Sequence, residues 1–196
     1  MSSGERVRAF FALPLPENLE QAALAAQALL RRRSSHTRLS PRFPAPDHLH
    51  LTLKFLGWVA AEDLPKLAEE LADAARHHPA FQVETGLLDA FPSPRRGRVI
   101  VLHLDDAARR IAALAEACET IGETIGVPRE TRAFKSHVTL ARLSDPGDVR
   151  ALLEKVPFPK LGARFTSVRL YRSTLLPSGS QYSLLSEATL ALDPSF

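Results

Sequence analysis

The chain has 196 residues, of which 45% are hydrophobic and 24% are charged, and it carries a formal net charge of +3. These values are typical of a soluble globular protein and exclude an intrinsically disordered one. The mild basic excess permits a polyanionic partner without requiring one. The single cysteine, Cys118, excludes an internal disulfide and argues against a cysteine-rich zinc site. We find neither a signal peptide nor an apolar run of about 20 residues, and therefore expect a cytoplasmic protein without membrane contact.

The first part of the chain alternates predicted strands and helices. A strand is predicted over residues 7–13, and a helix with an apolar stripe over 17–33. Three prolines mark residues 34–46 as a loop. A second strand is predicted over 48–59 and a second amphipathic helix over 62–77.

The second part continues the mixed pattern. The predicted elements are strands over 81–91 and 98–104 joined by a turn-rich basic segment, a helix from Asp105 or Asp106 to about 125, a strand over 137–143, a short helix near 147–155, and a hairpin of 164–176 and 182–192 closed through 177–180. This order favours an α+β fold with two largely antiparallel sheets over a doubly wound parallel sheet. We expect residues 1–196 to form a single domain of two lobes.

The sequence His-x-Thr-Leu occurs twice, beginning at His50 and at His137. Each copy lies in a short apolar alternation that predicts a β-strand, so the histidine and the threonine of each copy share a face. The 87 positions between the two histidines suit one copy in each lobe. The two copies therefore predict a cleft that is built from both halves of the protein.

Strand alternation predicts which neighbours share the cleft with the motifs. In the first copy the polar face is His48, His50, Thr52 and Lys54, and the apolar face is Leu49, Leu51, Leu53 and Phe55. In the second copy Lys135 shares the face of His137 and Thr139, whereas Arg142 has the parity of the buried face. We therefore expect the second strand to bend or end near Arg142.

Two histidines and two threonines that converge on one site suit acid–base chemistry at a phosphate. An imidazole titrates near pH 6.5, so one histidine can act as a base while the other acts as an acid. The threonine hydroxyls can donate to phosphate oxygens without changing charge. Hydrolysis of a cyclic phosphodiester needs this set of groups, and the scheme requires neither a metal ion nor another cofactor.

Two alternatives compete with this interpretation. A lone histidine or threonine on a strand is more often structural than catalytic, and only the duplication of the motif favours catalysis. His48 and His50 could also ligate zinc from one strand face, with His137 or His103 as a third ligand. No matching carboxylate motif accompanies them, so the metal site is the weaker hypothesis.

The chain resembles the two-histidine (2H) phosphoesterase superfamily, specifically the LigT-like RNA 2′,3′-cyclic phosphodiesterases, which are also called 2′-5′ RNA ligases. The resemblance extends over nearly the whole chain, and the segments that carry it are residues 8–16, 48–57, 91–96 and 170–182. The resemblance implies a bilobal, pseudo-symmetric α+β fold with flanking helices and a cleft between the lobes.

The resemblance also implies roles for the motif residues. His50 is similar to the proton donor of the family, His137 to its proton acceptor, and Thr52 and Thr139 to its phosphate ligands. The implied reaction opens an RNA 2′,3′-cyclic phosphate to a 2′-phosphate, and the reverse reaction would join that end to a 5′-hydroxyl. The proline that often precedes the second histidine of the family is absent, since Lys135-Ser136 stands before His137. This departure puts the substrate preference in doubt more than the chemistry.

A wider set of residues is expected to contact the substrate. The candidates are Phe43 as the aromatic residue upstream of the first motif, Arg95, Arg96 and Arg98 along an RNA backbone, Lys135 and Arg142 at phosphate, and Phe134 and Tyr182 stacked on a base. A solvated turn or burial in the core would explain several of them equally well. The expected partners are RNA ends, with tRNA fragments among the candidates, or nucleotides that carry a 2′,3′-cyclic phosphate. We expect a monomer.

Two other functions remain open at this point. The first is a 2H esterase for small cyclic nucleotide phosphates. The second is a module that binds RNA ends and has weak catalysis. A comparison of oligonucleotide with mononucleotide substrates distinguishes the small-nucleotide esterase from an enzyme that acts on RNA. The effect of histidine substitutions on RNA binding distinguishes the binding module from an enzyme.

Overall fold

The computed structural model describes residues 5–154, 156–176 and 179–192. Within these ranges the chain forms nine strands and four α-helices. The strands are β1 (Arg6–Pro14), β2 (Pro41–Arg42), β3 (His50–Ala60), β4 (Phe81–Phe91), β5 (Gly97–Asp105), β6 (His137–Gly147), β7 (Gly162–Phe165), β8 (Ser167–Leu176) and β9 (Gly179–Thr189). The helices are α1 (Glu17–Ser34), α2 (Leu64–His77), α3 (Arg110–Glu123) and α4 (Arg150–Leu153).

The strands form two sheets, and each sheet carries one His-x-Thr-Leu motif. The first sheet has the order β3-β1-β8-β9 and the second has the order β2-β6-β5-β4-β7. All pairings between these strands are antiparallel. The α+β class with two antiparallel sheets that the sequence predicts is confirmed. The motif strands β3 and β6 belong to different sheets and contact each other.

Two helices link the sheets, because each packs against the sheet that does not contain the strand before it in the chain. Helix α1 follows β1 of the first sheet but packs against β6 and α4. The buried amide of Gln27 in α1 donates a hydrogen bond of 3.0 Å to the carbonyl oxygen of Leu140 in β6. Helix α3 follows β5 of the second sheet but packs against β3, beside α2. The sheets therefore share one hydrophobic core.

Both motif strands contain a β-bulge directly after the threonine. In β3 the register with β1 skips Leu53, and in β6 the register with β5 skips Leu140. The extra residue shifts the alternation by one position. Lys54 is therefore buried, whereas Phe55 is 58% exposed on the opposite face, so the prediction that Lys54 lies on the cleft face and Phe55 in the core is wrong. In β6 the same shift brings Arg142 to the face of the motif, where the parity had predicted a bend.

The C-terminal part differs from the predicted hairpin. The single strand predicted over 164–176 is two strands, since β7 pairs with β4 in the second sheet and β8 pairs with β1 and β9 in the first. Strands β8 and β9 do form a hairpin, but residues 177–178 of its predicted turn lie outside the described residues. Residue 155, at the end of the predicted short helix, also lies outside them, and α4 has four residues.

Smaller differences concern the ends of elements. His48 lies in a 3-10 turn, Pro46–His48, rather than in the motif strand. The loop predicted over 34–46 includes the short edge strand β2. Helix α3 begins at Arg110 with Arg109 as its N-cap residue, so the predicted start at Asp105 or Asp106 is several residues too early. The Asp106 carboxylate still accepts hydrogen bonds from the N–H groups of Ile111 and Ala112 in the first turn. No helix in the described ranges is long and apolar enough to cross a membrane.

Candidate active site

The two motif histidines are held in the same way by the backbone. His50 Nδ1 lies 2.8 Å from the carbonyl oxygen of His48, and His137 Nδ1 lies 2.7 Å from that of Lys135. A carbonyl oxygen can only accept, so Nδ1 carries the hydrogen in both neutral imidazoles. Nε2 of each ring therefore has a free lone pair and is the atom available for proton transfer.

Burial lowers the pKa of both histidines. Desolvation is the largest cause at His50 and lowers its pKa to about 4, with smaller contributions from the charges of Arg142, His48 and His137. Desolvation also lowers the pKa of His137, aided by His103 and Arg142. The hydrogen bonds to the backbone carbonyls oppose these effects in both cases. Both imidazoles are thus neutral at pH 7.

The two threonines lie on the histidine faces with their hydroxyls unused. Thr52 and Thr139 are half-buried in the strands β3 and β6. Across the ranges that the structure describes, neither hydroxyl forms a hydrogen bond with the protein. Each hydroxyl is therefore free to donate to a ligand in the same space that the histidine faces.

Arg142 is the positive charge that both histidines share. Its charge lowers the pKa of His50 and of His137, so it lies within electrostatic reach of both rings. Within residues 5–154, 156–176 and 179–192, its guanidinium forms no ion pair with a carboxylate. An exposed arginine without a carboxylate, placed beside two imidazoles, favours a bound anion.

Aromatic rings surround His50. The ring of the buried Phe10 lies 4.9 Å from that of His50 and stacks on Tyr171 at 5.3 Å. Tyr182 contacts His50 edge-on at 5.3 Å and His48 at 4.7 Å. The Tyr182 ring therefore lies beside His50, where it contacts two histidines and Phe10.

The sequence reasoning missed Phe10 and Tyr171 as neighbours of the catalytic candidates. They come from β1 and β8, where their Cα atoms are paired across the sheet. The nearly continuous apolar run of residues 7–13 marks Phe10 as part of a buried strand but does not indicate which strand lies beside it. No local signal in the sequence could have identified this contact.

His137 has a matching aromatic neighbour in the second sheet. The ring of Phe91 contacts His137 edge-on at 5.1 Å and His103 at 5.7 Å, and the Lys135 ammonium lies 5.5 Å from the Phe91 centroid. His103 Nε2 lies 3.3 Å from Asp89 Oδ2. Lys135 therefore lies at the site, where it contacts an aromatic ring and provides the carbonyl for His137.

Among the residues that the structure describes, no contact brings the other sequence candidates to the histidines. Phe43 is half-buried and its ring lies 4.5 Å from the Arg31 guanidinium of α1. Arg95 and Arg96 are exposed in a 3-10 turn next to Gly97, which pairs with Gly147 at the end of β6 opposite His137. Arg98 and Phe134 are exposed, and within the described residues neither contacts a motif histidine.

The hypothesis of a zinc site finds no geometric support in the part of the chain that the structure describes. No group of three or more histidine, cysteine, aspartate or glutamate side chains there is placed to hold a metal ion. His48 and His103, the proposed additional ligands, contact Tyr182 and Asp89 respectively.

Comparison with known proteins places the chain among RNA-processing enzymes. Residues 16–175 match the family model of the 2′-5′ RNA ligase superfamily. A protein of Aeropyrum pernix named RNA 2′,3′-cyclic phosphodiesterase is 30% identical over 168 residues, which are 84% of this chain and 94% of that protein.

Solved structures give the same relationship. A Thermus thermophilus protein superposes with a TM-score of 0.80 at 29% identity, over 95% of this chain and 99% of that one. Escherichia coli LigT in complex with 3′-AMP superposes with a TM-score of 0.70 at 27% identity and the same coverage. The LigT-like fold expected from the sequence is thereby confirmed.

Proposed function

Because the chain belongs to the 2′-5′ RNA ligase superfamily, we propose that it hydrolyses the 2′,3′-cyclic phosphate ends of RNA to 2′-phosphate ends. One observation carries this proposal. Two neutral imidazoles, each fixed by a backbone carbonyl at Nδ1, lie with Arg142 in a site that joins the two sheets. We further propose that residues 1–196 act as one domain in which each sheet contributes one His-x-Thr-Leu motif.

In the proposed reaction the two histidines have opposite tasks. Nε2 of His137 removes a proton from water, whose oxygen attacks the phosphorus atom. The bond between phosphorus and O3′ breaks, and Nε2 of His50 donates a proton to O3′. The products are a 2′-phosphate and a 3′-hydroxyl. The family resemblance supports this assignment of donor and acceptor, and the symmetric geometry of the two rings allows it.

Binding of the substrate is expected to protonate His50, the proposed general acid. His50 is neutral before the substrate binds because burial lowers its pKa to about 4. A phosphate anion in contact with the ring favours its charged form and raises this pKa. His50 therefore takes up a proton when the cyclic phosphate binds, which prepares it to protonate the leaving oxygen.

The neighbouring groups stabilise the charge that develops on the phosphate. The free hydroxyls of Thr52 and Thr139 donate to the two non-bridging oxygens, and the Arg142 guanidinium neutralises their charge. These groups need no reorganisation during the reaction, because strands β3 and β6 hold them. The same site would perform ligation if the 5′-hydroxyl of a second RNA replaced water as the nucleophile.

The decisive experiment uses an RNA with a 2′,3′-cyclic phosphate end, incubated with the protein in excess EDTA and followed by phosphorus NMR. We expect a 2′-phosphate product, and a loss of about 10³-fold or more in rate for His50→Ala and for His137→Ala. His36→Ala is the control because His36 is exposed and lies outside both motifs. A 3′-phosphate product would reverse the leaving-group assignment, and inactivation by EDTA would restore the metal hypothesis.

A second comparison separates RNA from small nucleotides and catalysis from simple binding. The wild-type rate is measured on the RNA and on 2′,3′-cyclic AMP at equal concentration. Faster opening of the mononucleotide contradicts the RNA substrate. Binding of the RNA without turnover of either compound contradicts an enzymatic function.

A further inference from the structure

Two arginines lie directly opposite each other beside the candidate active site. Arg42 of β2 pairs with Arg142 of β6 in the second sheet, and both side chains are exposed. Residues that are opposite in an antiparallel pair share a face, with Cβ atoms about 4.5–5.5 Å apart, and like charges in this arrangement destabilise the sheet. Over the described ranges, Arg42 makes no contact with a carboxylate. An anion bound next to this pair would relieve the repulsion.

A groove next to Arg42 is formed by residues of α1, β2 and β6 and by the segment that connects α1 with β2. It has a volume of about 390 Å³, and all the residues that line it are neutral or basic. Ser40, Arg42 and Ser144 provide polar groups, while Arg31 and Phe43 provide a guanidinium that covers an aromatic ring at 4.5 Å. Bases of single-stranded RNA stack on such guanidinium planes and rings. The groove thus combines a phosphate-binding group with a surface for a base.

We infer that this groove binds the nucleotide that precedes the cyclic-phosphate end of the RNA, with Arg42 on the phosphodiester that links the last two nucleotides. The inference rests on the proposed function, because it needs the terminal phosphate at Arg142 and the histidines. The spacing of the arginine pair suits two successive phosphates of one strand. Phe43, which the sequence suggests as a substrate contact, then acts at the penultimate nucleotide and not at the reacting one.

The test compares two substrates that differ only in the upstream nucleotide. They are 2′,3′-cyclic AMP and the adenine dinucleotide that ends in a 2′,3′-cyclic phosphate. We expect a higher kcat/KM for the dinucleotide in the wild-type protein. Arg42→Gln should lower the ratio of dinucleotide to mononucleotide kcat/KM about tenfold, since it removes one charge-assisted contact to phosphate. Salt dependence gives a second readout. A plot of the logarithm of the dinucleotide binding constant against the logarithm of salt concentration should be steeper by about 0.7 in the wild-type protein than in Arg42→Gln.

The matched control is Arg38→Gln. Arg38 lies four positions upstream, is exposed and does not line the groove, so its loss changes the net charge equally and should leave the ratio within about twofold. An unchanged ratio in Arg42→Gln, with both substrates still opened, overturns the inference and leaves the proposed function intact. An equal fall of the dinucleotide to mononucleotide ratio in Arg42→Gln and Arg38→Gln also overturns the inference, because it indicates a general effect of net charge. Failure of the wild-type protein to open either substrate overturns the proposed function, and the inference with it.

Discussion

The Lys54 ammonium lies 2.5 Å from the Glu119 carboxylate, where 5% of the lysine and 14% of the glutamate side chain are exposed. The same ammonium donates a hydrogen bond of 2.7 Å to the carbonyl oxygen of Pro128. The backbone N–H of Glu130 donates to the Glu119 carboxylate at 3.1 Å. This ion pair therefore joins the first motif strand, helix α3 and the segment that leads to the second motif.

Loss of Glu119 should destabilise the protein strongly. Glu119→Ala leaves the buried Lys54 ammonium without its partner, and we expect the free energy of unfolding to fall by about 3 kcal/mol. Urea denaturation at pH 7 measures this change. Replacement of both partners, as Lys54→Met with Glu119→Leu, should recover most of the loss because no buried charge remains.

Glu123 gives the control on the same helix. It forms an ion pair with Arg129 through an exposed side chain, and Glu123→Ala should cost less than about 1 kcal/mol. Equal losses for Glu119→Ala and Glu123→Ala would contradict a special role for the buried pair.

The lowered pKa values of the histidines predict the pH dependence of the reaction. The profile of kcat/KM reports groups of the free enzyme, and burial lowers the pKa of both His50 and His137 there. We expect a bell-shaped kcat/KM profile with its maximum below about pH 6.5, the ordinary histidine value. The kcat profile should lie at higher pH, because the bound phosphate raises both pKa values. Initial rates between about pH 4 and pH 9 test this order.

Histidine variants test whether His50 and His137 are the groups that determine the pH profile of kcat/KM. Either His50→Ala or His137→Ala should change its shape, because the two rings titrate as a coupled pair. A kcat/KM maximum above about pH 7.5, or a shape that neither substitution alters, would be incompatible with the proposed acid–base pair.

The same burial of His50 makes folding stability depend on pH. Its pKa is about 4 in the folded protein and about 6.5 when unfolded. Above pH 6.5 the ring is neutral in both states, whereas between pH 6.5 and pH 4 only the unfolded state gains the proton. Stability attributable to His50 is therefore lost as the pH falls through this window, by up to about 3 kcal/mol.

His50→Gln isolates this contribution from that of other titrating groups. Denaturant unfolding of the wild-type protein and the variant at pH 8, 6 and 4 should show a steeper decline for the wild-type protein. Inorganic phosphate should reduce the decline, since an anion at the site favours the charged ring. Parallel declines of the two proteins would contradict the lowered pKa.

The free hydroxyls of the threonines predict a separation of activity from stability. Thr52→Val and Thr139→Val keep the shape of the side chain and remove a group that bonds to nothing in the described structure. We expect kcat to fall about 10²-fold for each variant because a donor to the phosphate is lost. Thr→Ser at either position should retain most of the activity.

Stability is the control for the threonine variants. Removal of a half-buried hydroxyl without a partner should leave the free energy of unfolding unchanged or raise it slightly. A valine variant that is destabilised by several kcal/mol would indicate a structural role for the hydroxyl instead.

The order of elements could be predicted from the sequence because it depends on local periodicity. Helix α1 and strand β4 lie within one residue of their predicted ends. The motif faces were predicted only as far as the threonines. The bulges at Leu53 and Leu140 reverse the alternation, and a strict period of two cannot indicate an extra residue.

Contacts that depend on strand pairing could not be predicted from the sequence. The aromatic neighbours of His50 come from β1, β8 and β9, whose order follows from the packing of the whole sheet. The break between β7 and β8 was missed for the same reason. Apolar and polar residues are interspersed throughout residues 164–176, and only the pairing in the two sheets decides that the chain changes partner near Thr166.

The carbonyl contact at Nδ1 restricts how each imidazole exchanges protons with its surroundings. Because Nδ1 of His50 and of His137 contacts a backbone carbonyl, the proposed mechanism moves protons through Nε2 of each ring alone. In the proposed hydrolysis His50 gains a proton as the substrate binds and gives it to O3′, so it ends the turnover neutral, whereas His137 ends it with an additional proton. A bound ligand closes the only route by which bulk water could reverse this exchange. The enzyme therefore returns to its starting protonation only after the product has left, so slow product release also delays proton re-equilibration.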